Sequence, residues 1–439
     1  MGIGYDTSLI RRYSSDKNMP MVDLVLKTID ELLESGKIRE RATLLGICPI
    51  SHAAIWAAVE CAKFLNFPLM FVTTLNQVDI DGGYTGLTQK DFVETVARVC
   101  KRLEYDGPLI IALDHGGPWL KDKHVIEGWG FDEAMEWIKK SIEECIKAGY
   151  DLLHIDTTVD IRLKEGEILE IDTIVERTVE LIEHAENVRS ELGIPRISYE
   201  VGTEEVHGGI TSPQIFQDFI LKLKSKLKQK GLEDVWPCFI VGNVGTFLAE
   251  ENRFDPEKAA GLVKIAKSHN LYVKGHYTDY VSNPEDYPKA GMGGANIGPE
   301  LAHSEYLALE ELEKLERTLA ERKLITEPSR IIEALNNAII SSGRWKKWLR
   351  REEKGLGFSQ LSPRRRRWLL GTGARYVLST PEIVKLREQL HRNLKAYGVK
   401  TKERILTRLR ETIEKYVNPF NLRNLTFILE ERLIEKGLD

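Results

Sequence analysis

The feature that most constrains the fold is a regular alternation of short apolar runs and longer amphipathic stretches between residues 44 and 300. The runs have the length of buried strands, and the stretches between them have the period of helices. Because parallel strands need long crossover connections, this order predicts repeated strand–helix units. The predicted strands are Leu44–Ile50, Leu69–Thr74, Leu109–Leu113, Leu152–Asp156, Ile197–Val201, Phe239–Val241, Tyr272–Gly275 and Ala295–Ile297. The predicted helices between them are Ala53–Leu65, Gln89–Leu103, Asp132–Ala148, Thr173–Leu192, Pro213–Lys228 and Pro256–Ser268.

Eight such units in succession favour an α/β fold of the (β/α)8 TIM-barrel type, with an open doubly wound sheet as the alternative. The chain has 439 residues, so a barrel of roughly 250 residues leaves room for additional segments. We expect a helical N-terminal lead-in over residues 1–40, the barrel over 41–320 and a helical C-terminal extension over 321–439.

The composition indicates a chain that stays in the cytoplasm. No apolar run approaches the roughly 18 residues of a membrane span, and the N-terminus lacks the apolar centre of a signal peptide. The five cysteines are odd in number, widely spaced and never paired as CxxC. They are typical of reduced core residues and not of a disulfide framework.

The C-terminal extension is basic. Residues 341–410 contain 20 Lys and Arg against five Asp and Glu, although the whole chain has a formal charge of -5. A basic helical segment can bind nucleic acid, an acidic partner or a phosphorylated ligand, or it can pair with an acidic surface of its own chain. Since the rest of the chain is acidic, we expect this segment to dock on the barrel or on a partner subunit and not on nucleic acid.

Polar side chains gather where the predicted strands end. The carboxyl ends of all strands in a (β/α)8 barrel meet at one mouth, so these side chains should converge there. They include Asn76 and Gln77 after the second strand, Asp114 and His115 after the third, His154 and Asp156 at the fourth, Glu200 at the fifth, Lys274 and His276 at the seventh, and Gly298 after the eighth.

Histidines and carboxylates at one mouth suit a divalent cation such as Zn, Mn, Co or Ni. We predict His115, His276 and Glu200 as its ligands. Consecutive side chains point to opposite faces of a regular strand, but at a junction with a loop both can face the mouth, which makes Asp114 the candidate proton carrier. The sequence leaves open whether four other histidines take part; these are His52, His154, His207 and His303.

The glycine-rich segments give weaker indications. No GxxxxGK[ST] string occurs, which argues against a P-loop kinase, and Gly291–Gly294 lacks the spacing of a dinucleotide fingerprint. Gly298 opens a predicted helix whose free N–H groups could bind an anion. In barrels a phosphate often lies in this region, although an ordinary helix start would look the same.

Several strings resemble the GatZ/KbaZ family, which is described as the non-catalytic subunits of class II tagatose-1,6-bisphosphate aldolases. The strings lie in the family's order and at similar spacing between about residues 40 and 310. They are Asn76-Gln77-Val78, Gly82-Gly83-Tyr84-Thr85-Gly86, Asp114-His115-Gly116-Gly117-Pro118, Gly202-Thr203-Glu204, His276-Tyr277-Thr278-Asp279-Tyr280 and Ile297-Gly298-Pro299, with Arg375-Tyr376 in the extension.

The resemblance implies a barrel of the class II aldolase type and ketohexose phosphates as substrates. It also implies that Asp114-His115 match the proton carrier and metal ligand of true class II aldolases. Two further ligand histidines are expected there on later strands. His276 matches one, whereas Gly242–Gly245 carries no histidine.

The resemblance also implies an activity, because some relatives are used as 4-epimerases that interconvert fructose 6-phosphate and tagatose 6-phosphate. We therefore expect a metal-dependent 4-epimerase of these two sugars. The alternative is a non-catalytic subunit that stabilises a catalytic aldolase subunit, and in either case a homo-oligomer is expected. Asp114 is the first proton carrier, with Glu200 and Asp156 as further catalytic candidates. The residues expected to bind the sugar phosphate are Asn76, Gln77, Tyr84, Thr85, Lys274, Gly298 and Arg375.

Overall fold

The structure is a computed structural model that describes residues 6–164, 167, 169–202 and 212–437. Its strands are β1 (Leu44–Ile47), β2 (Leu69–Thr74), β3 (Leu109–Gly116), β4 (Leu152–Ile155), β5 (Ser198–Gly202), β6 (Phe239–Val241), β7 (Tyr272–Gly275) and β8 (Gly294–Ile297). All neighbouring strands are parallel and follow chain order, and β1 pairs with β8 to close a barrel. This closure confirms the predicted (β/α)8 fold and excludes the open sheet.

The helices alternate with the strands up to β8 and then continue through the extension. They are α1 (Leu9–Asp16), α2 (Met21–Glu34), α3 (His52–Leu65), α4 (Gln89–Leu103), α5 (Asp122–Ile126), α6 (Phe131–Ala148), α7 (Ile171–Glu191), α8 (Pro213–Gln229), α9 (Pro256–Lys267), α10 (Asp286–Lys289), α11 (Pro299–Glu321), α12 (Ile331–Ser342), α13 (Pro363–Gly373), α14 (Pro381–Lys395), α15 (Thr401–Val417) and α16 (Leu425–Gly437). Short 3-10 segments at Arg344–Trp348 and Ala374–Tyr376 interrupt the extension. Among the helices in the described part of the chain, none combines the length and apolar character that crossing a bilayer requires.

Two predicted strands differ from the observed ones by three residues at the mouth of the barrel, while the fourth and fifth strands differ there by one residue. The first strand ends at Ile47 and not at Ile50, since Pro49 has no N–H to continue a ladder. The third strand continues past Leu113 to Gly116, so it carries two polar side chains within its own last residues. Both differences lie at the carboxyl ends, where the strand pattern gives way to the residues of the site.

Helices α1 and α2 lie under the amino ends of the strands. Arg11 of α1 pairs with Asp151, which precedes β4, and donates to the Leu109 carbonyl at 2.7 Å. Asp23 of α2 accepts a hydrogen bond from Ser198 Oγ, at the first residue of β5, at 2.6 Å. These contacts hold the two N-terminal helices against the amino ends of the strands.

The extension packs on the barrel through hydrophobic contacts and through ion pairs. Buried residues of α12, α14, α15 and α16 belong to the same apolar cluster as the strands. The basic side chains of the extension meet acidic groups of the barrel, as the charge distribution predicts. These pairs include Arg344 with Asp122, Arg365 with Glu250, Arg410 with Glu60 and Lys415 with Glu300. All five cysteines are buried free thiols.

The close approach of the ends of β3 and β4 can be tested at Gly117. A Cβ atom at this position would lie 1.5 Å from the backbone oxygen of Asp156, which cannot move aside as a side chain could. We expect Gly117→Ala to lower the free energy of unfolding in urea by about 3 kcal/mol or more.

The matched control is Gly261→Ala in α9, where a Cβ atom would meet nothing within 4 Å. This substitution should leave stability unchanged or raise it by up to about 1 kcal/mol. Equal stability of the two variants would contradict the described packing of the two strand ends.

Candidate active site and metal centre

A cavity lies between the carboxyl ends of the strands and the C-terminal extension. Its wall combines polar groups from β2, β3, β7 and β8 with aromatic and basic groups from the extension. The lining residues include Asn76, Gln77, Tyr84, Asp114, His115, His276, Asp279, Asn296, Gly298, Lys347, Trp348, Arg375 and Tyr376. The predicted convergence of strand ends is therefore present, and the extension covers it.

Asp114 and His115 both reach this cavity because the backbone of β3 is irregular there. His115 has a φ of 53°, which lies in the left-handed region that residues other than glycine rarely adopt. The β3–β4 register shifts between Leu113 and Gly116. An irregularity of this kind redirects a side chain, so two consecutive residues can line one surface.

Three histidines and two carboxylates form a compact cluster beside the cavity. Potential ligand atoms of His115, His154 and His276 all lie within 4.8 Å of one another. In a second group, potential ligand atoms of Asp114, Glu200, His154 and His276 also lie within 4.8 Å of one another. His154 is thus the third histidine of the cluster, and it comes from β4, whereas Gly242–Gly245 after β6 carries no histidine.

Asp156 contacts Nδ1 of His115. The distance from His115 Nδ1 to Asp156 Oδ2 is 2.7 Å, while Asp156 Oδ1 accepts the Thr158 hydroxyl at 2.6 Å. Burial acts to raise the pKa of Asp156, but the hydrogen bond and charge of His115 outweigh it and lower the pKa to about 2. A carboxylate on the outer nitrogen of a histidine orients the ring toward a metal, which favours this role for Asp156 over direct catalysis.

Glu200 lies between the histidines and a lysine. Its Oε1 is 3.1 Å from His276 Nε2, and its Oε2 accepts from Lys274 Nζ at 2.6 Å. Burial acts to raise the pKa of Glu200, but the Lys274 charge and the neighbouring imidazoles lower it to about 2. Lys274 is fully buried and is not part of the cavity wall, so its predicted contact with the phosphate has to be revised.

Asp114 is buried at the junction of the cluster and the cavity. Its Oδ1 lies 3.2 Å from His154 Nδ1, and its Oδ2 accepts from Asn296 Nδ2 at 3.2 Å. Burial acts to raise its pKa, but the charges of His115 and His276 hold it well below the usual range. Asp114 is therefore ionised near neutral pH and can accept a proton.

The predicted substrate-binding residues of the β2 loop have different positions. Asn76 and Gln77 line the cavity, but each also makes local contacts: Asn76 accepts from the Asp122 amide at 2.9 Å, and Gln77 accepts from the Thr74 amide at 3.0 Å. Thr85 is buried and donates to the Gln77 carbonyl at 2.6 Å, which supports the loop and not a ligand.

The same loop positions Tyr84. Gly83 has a φ of 53°, and a Cβ atom there would lie 2.4 Å from the Gln77 carbonyl oxygen, so only glycine fits this turn. Tyr84 lines the cavity and packs edge to face against Tyr376 of the extension, with ring centroids 5.5 Å apart. The contact joins the barrel to the extension at the cavity wall.

The start of α11 differs from the predicted anion site. The amides of Gly298 and Glu300 already donate to Asp279 Oδ1, at 2.9 and 2.7 Å. An acidic side chain of the chain itself therefore occupies the place where we expected a phosphate. Burial raises the pKa of Asp279 to about 7, with a further contribution from the nearby Glu300 carboxylate.

Arg375 is a buried cation in the cavity wall. Its guanidinium donates to the Tyr376 hydroxyl at 2.8 Å and lies 5.2 Å from the ring centre of Trp348. Among the described residues, no carboxylate lies within ion-pair distance of it. The sequence did not single out Trp348 or Asp279 for a function, and it left His154 open.

The cluster fits a divalent metal ion. His154 Nε2, His276 Nδ1 and Asn296 Oδ1 are buried without a hydrogen-bond partner among the described residues. Unsatisfied buried polar atoms cost free energy, so such a group of atoms favours a ligand. Imidazole and carboxylate donors are those that zinc and similar cations bind.

The other three histidines whose role the sequence left undecided are not part of this cluster as described. His303 is hydrogen-bonded to Tyr280, and His52 is the first residue of α3. His207 lies outside the described residues.

Comparisons with known proteins give a matching family and similar solved structures. The sequence model of the family described as D-tagatose-1,6-bisphosphate aldolase subunit GatZ/KbaZ-like matches residues 29–418. The fold is similar to a crystal structure from Sinorhizobium meliloti 1021, described as a probable tagatose 6 phosphate kinase. The TM-score is 0.66 at 21% identity, over 90% of this chain and 98% of that one. A fructose-bisphosphate aldolase from Campylobacter jejuni matches with a TM-score of 0.46 at 13% identity, over 85% of this chain and 94% of that one.

The ligand cluster predicts how single substitutions change metal retention. We expect the wild-type chain to keep zinc after dialysis. His115→Ala, His154→Ala and His276→Ala should each keep much less, because each removes one imidazole donor. Asp156→Asn should weaken zinc binding by about 10–100-fold, as expected for a group that orients a ligand. Zinc per chain is measured by elemental analysis.

The control is His391→Ala in α14, whose ring bonds Thr401 outside the cluster. Circular dichroism should show an unchanged fold in all five variants. A histidine variant that keeps its zinc would remove that residue from the ligand set.

The raised pKa of Asp279 predicts that the protein loses stability as the pH rises. An acid whose pKa is raised on folding stabilises the protein fully below the unfolded-state pKa, and this contribution is lost as the pH rises through the folded-state pKa. With a folded pKa of about 7, the loss falls between about pH 4 and 7. Asp279→Asn keeps an oxygen for the two amides but does not titrate, so it should abolish this loss.

We expect the stability of the wild type to fall, relative to Asp279→Asn, by about 2 kcal/mol between pH 5 and pH 8. Urea unfolding at the two pH values measures the difference, with all other titrating groups common to both proteins. Parallel pH profiles would show that the Asp279 pKa is not raised.

Proposed function

Because the chain belongs to the D-tagatose-1,6-bisphosphate aldolase subunit GatZ/KbaZ-like family, we propose that it is a metal-dependent epimerase that interconverts fructose 6-phosphate and tagatose 6-phosphate. The family makes the chain a sugar-phosphate aldolase-related protein. The observation that carries the finer proposal is one cavity with Asp114 and the ligand cluster on one wall and the buried Arg375 on another. To invert C4, the enzyme has to break and re-form the C3–C4 bond, as an aldolase does. It also has to hold the phosphate at a separate place while the aldehyde turns.

The proposed cofactor is a divalent cation, Zn, Mn, Co or Ni. Its proposed donors are His154 and His276, which belong to both groups of neighbouring ligand atoms, together with His115 from one group and Glu200 from the other. When bound, such a cation supplies positive charge that stabilises the negative charge developing on the sugar oxygens O2 and O3. Asp156 keeps the ring of His115 in place through its 2.7 Å contact.

Asp114 is the proposed proton carrier. Its ionised carboxylate accepts the proton of the C4 hydroxyl as the C3–C4 bond breaks, which leaves a three-carbon enediolate and an aldehyde that retains the phosphate. Asn296 donates to Asp114 Oδ2 and fixes the carboxylate between the cluster and the cavity. After the bond re-forms on the other face of C4, Asp114 returns the proton to O4, so the reaction is balanced.

Arg375 is the proposed phosphate anchor. Its charge has no carboxylate partner among the described residues, and Tyr84 and Trp348 complete the surrounding wall. With the phosphate held there, rotation about the C4–C5 bond turns the other face of the aldehyde toward the enediolate. An arginine suits this task because its planar guanidinium matches phosphate oxygens.

The second candidate is a non-catalytic subunit that stabilises a catalytic tagatose-bisphosphate aldolase subunit. The family description, which refers to an aldolase subunit, favours it. Under this candidate the chain alone has no turnover, and its addition raises the half-life of a catalytic aldolase subunit at elevated temperature.

The direct test is to incubate the purified wild-type chain alone with fructose 6-phosphate and zinc. We expect tagatose 6-phosphate to appear and the reverse reaction to occur with tagatose 6-phosphate as substrate, because Asp114 and Arg375 belong to one chain. Chromatography of the dephosphorylated sugars measures both. Absence of product with each proposed metal, together with stabilisation of a catalytic aldolase subunit, would favour the second candidate.

Asp114→Asn tests the proton carrier. The amide is nearly isosteric with the carboxylate but cannot accept and return a proton, so kcat should fall by about 10²–10⁴-fold. Zinc content should change little if the main donors are the histidines and Glu200.

The control is Asp172→Asn, which removes an exposed carboxylate that pairs with Lys222 on the outer surface. It should have wild-type turnover. Turnover near the wild-type value in Asp114→Asn would rule out its role as the proton carrier.

A further inference from the structure

Lys274 lies behind the ligand cluster, in the interior of the barrel. Its side chain and that of Glu200 are both 0% exposed, and the Lys274 Nζ–Glu200 Oε2 distance is 2.6 Å. The lysine stem runs beside Gly294 of β8, where a Cβ atom would lie 3.3 Å from Lys274 Cγ, and Nζ lies 5.7 Å from the ring centre of Phe239. The ammonium group therefore has a fixed position.

The two oxygens of Glu200 face different partners. Oε1 lies 3.1 Å from His276 Nε2 and 3.7 Å from His154 Nδ1, inside the ligand cluster. Oε2 points away from the histidines and bonds the ammonium of Lys274. Rotation of the carboxylate to present both oxygens to the cluster would break a fully buried ion pair, which is costly.

We infer that Lys274 is a positioning residue that makes Glu200 a one-oxygen donor to the metal and limits the negative charge at the centre. The inference rests on the proposed metal site and not on the proposed reaction. With Lys274 in place, one of the two carboxylates in the cluster is compensated by a charge of this chain. The cation then keeps Lewis acidity that a second uncompensated carboxylate would reduce.

A buried lysine in an aldolase-related barrel could instead attack a carbonyl group of the substrate. The geometry argues against this role, because Nζ is bonded to Glu200 and Lys274 is not part of the cavity wall. If Lys274 were the nucleophile, borohydride reduction in the presence of fructose 6-phosphate would attach the sugar to this residue. Mass spectrometry of the peptide should find no such adduct, and an adduct would overturn the inference.

The test compares the zinc affinity of Lys274→Met with that of the wild type, by competition with a chromophoric chelator. Removal of a positive charge beside the cation and release of the second Glu200 oxygen should tighten zinc binding by about 10-fold or more. Lys121→Met is the matched control. It removes another buried lysine, paired with Asp79 at 2.7 Å and Asp81 at 2.8 Å, and should leave zinc affinity unchanged.

Unchanged or weaker zinc binding in Lys274→Met, relative to the wild type and the control, would overturn the inference. A second measurement does not depend on the folding of any variant. In a crystal structure of the zinc-loaded wild type, Glu200 should bind through Oε1 alone, with Lys274 still hydrogen-bonded to Oε2. Coordination through both oxygens, or displacement of Lys274, would refute it.

The outcomes separate this inference from the proposed function. Absence of zinc at the cluster in the wild type would refute the metal site and the inference together. Zinc bound as described without conversion of fructose 6-phosphate would refute the epimerase and leave the inference supported.

Discussion

The left-handed backbone of His115 is the constraint on which the site depends. In a regular strand Asp114 and His115 would point to opposite sides, and only one of them could reach the cavity. A non-glycine residue in this conformation costs about 1–3 kcal/mol, which its surroundings must offset. The 2.7 Å contact with Asp156 and the close approach of Gly117 to β4 fix the strand in this form. Asp114, the proposed proton carrier, and His115, a proposed metal ligand, are thereby placed side by side.

The C-terminal extension forms part of the site and is more than a cover for the barrel. Its helices α12, α14, α15 and α16 share one hydrophobic core with the barrel, and ion pairs such as that of Arg344 with Asp122 connect it to α5 after β3. This docking brings Trp348, Arg375 and Tyr376 over the strand ends. The basic character of the segment thus has two uses: several of its cations pair with acidic groups of the barrel, and Arg375 faces the cavity.

The sequence was sufficient to predict the barrel, because the periods of strands and helices can be recognised within short segments of the chain. It also located Asp114 and His115 at the end of a strand. It could not rank His154, because a histidine in a buried strand looks the same whether it binds a ligand or fills the core. Lys274 lies in β7 and His276 directly follows this strand. The alternation of an extended chain predicts that both side chains point to the same side, but it does not show how deep each one lies. Trp348 could not be predicted at all, since its contact with the cavity depends on how the extension folds back.

Asp279 binds the free amides at the start of α11, and this limits where the phosphate of a substrate can lie in the cavity. Helix starts near the last strands of a barrel are common phosphate sites, but here the Asp279 carboxylate already takes the Gly298 and Glu300 amides. A second anion at this helix start would have to displace a buried acidic group or lie beside it. Arg375 then remains the buried cation for a phosphate, on a wall that the extension supplies. Under the proposed function the phosphate end of the sugar points toward the extension and the reacting carbons toward the end of β3, which is the orientation that a fixed anchor and a rotating aldehyde require.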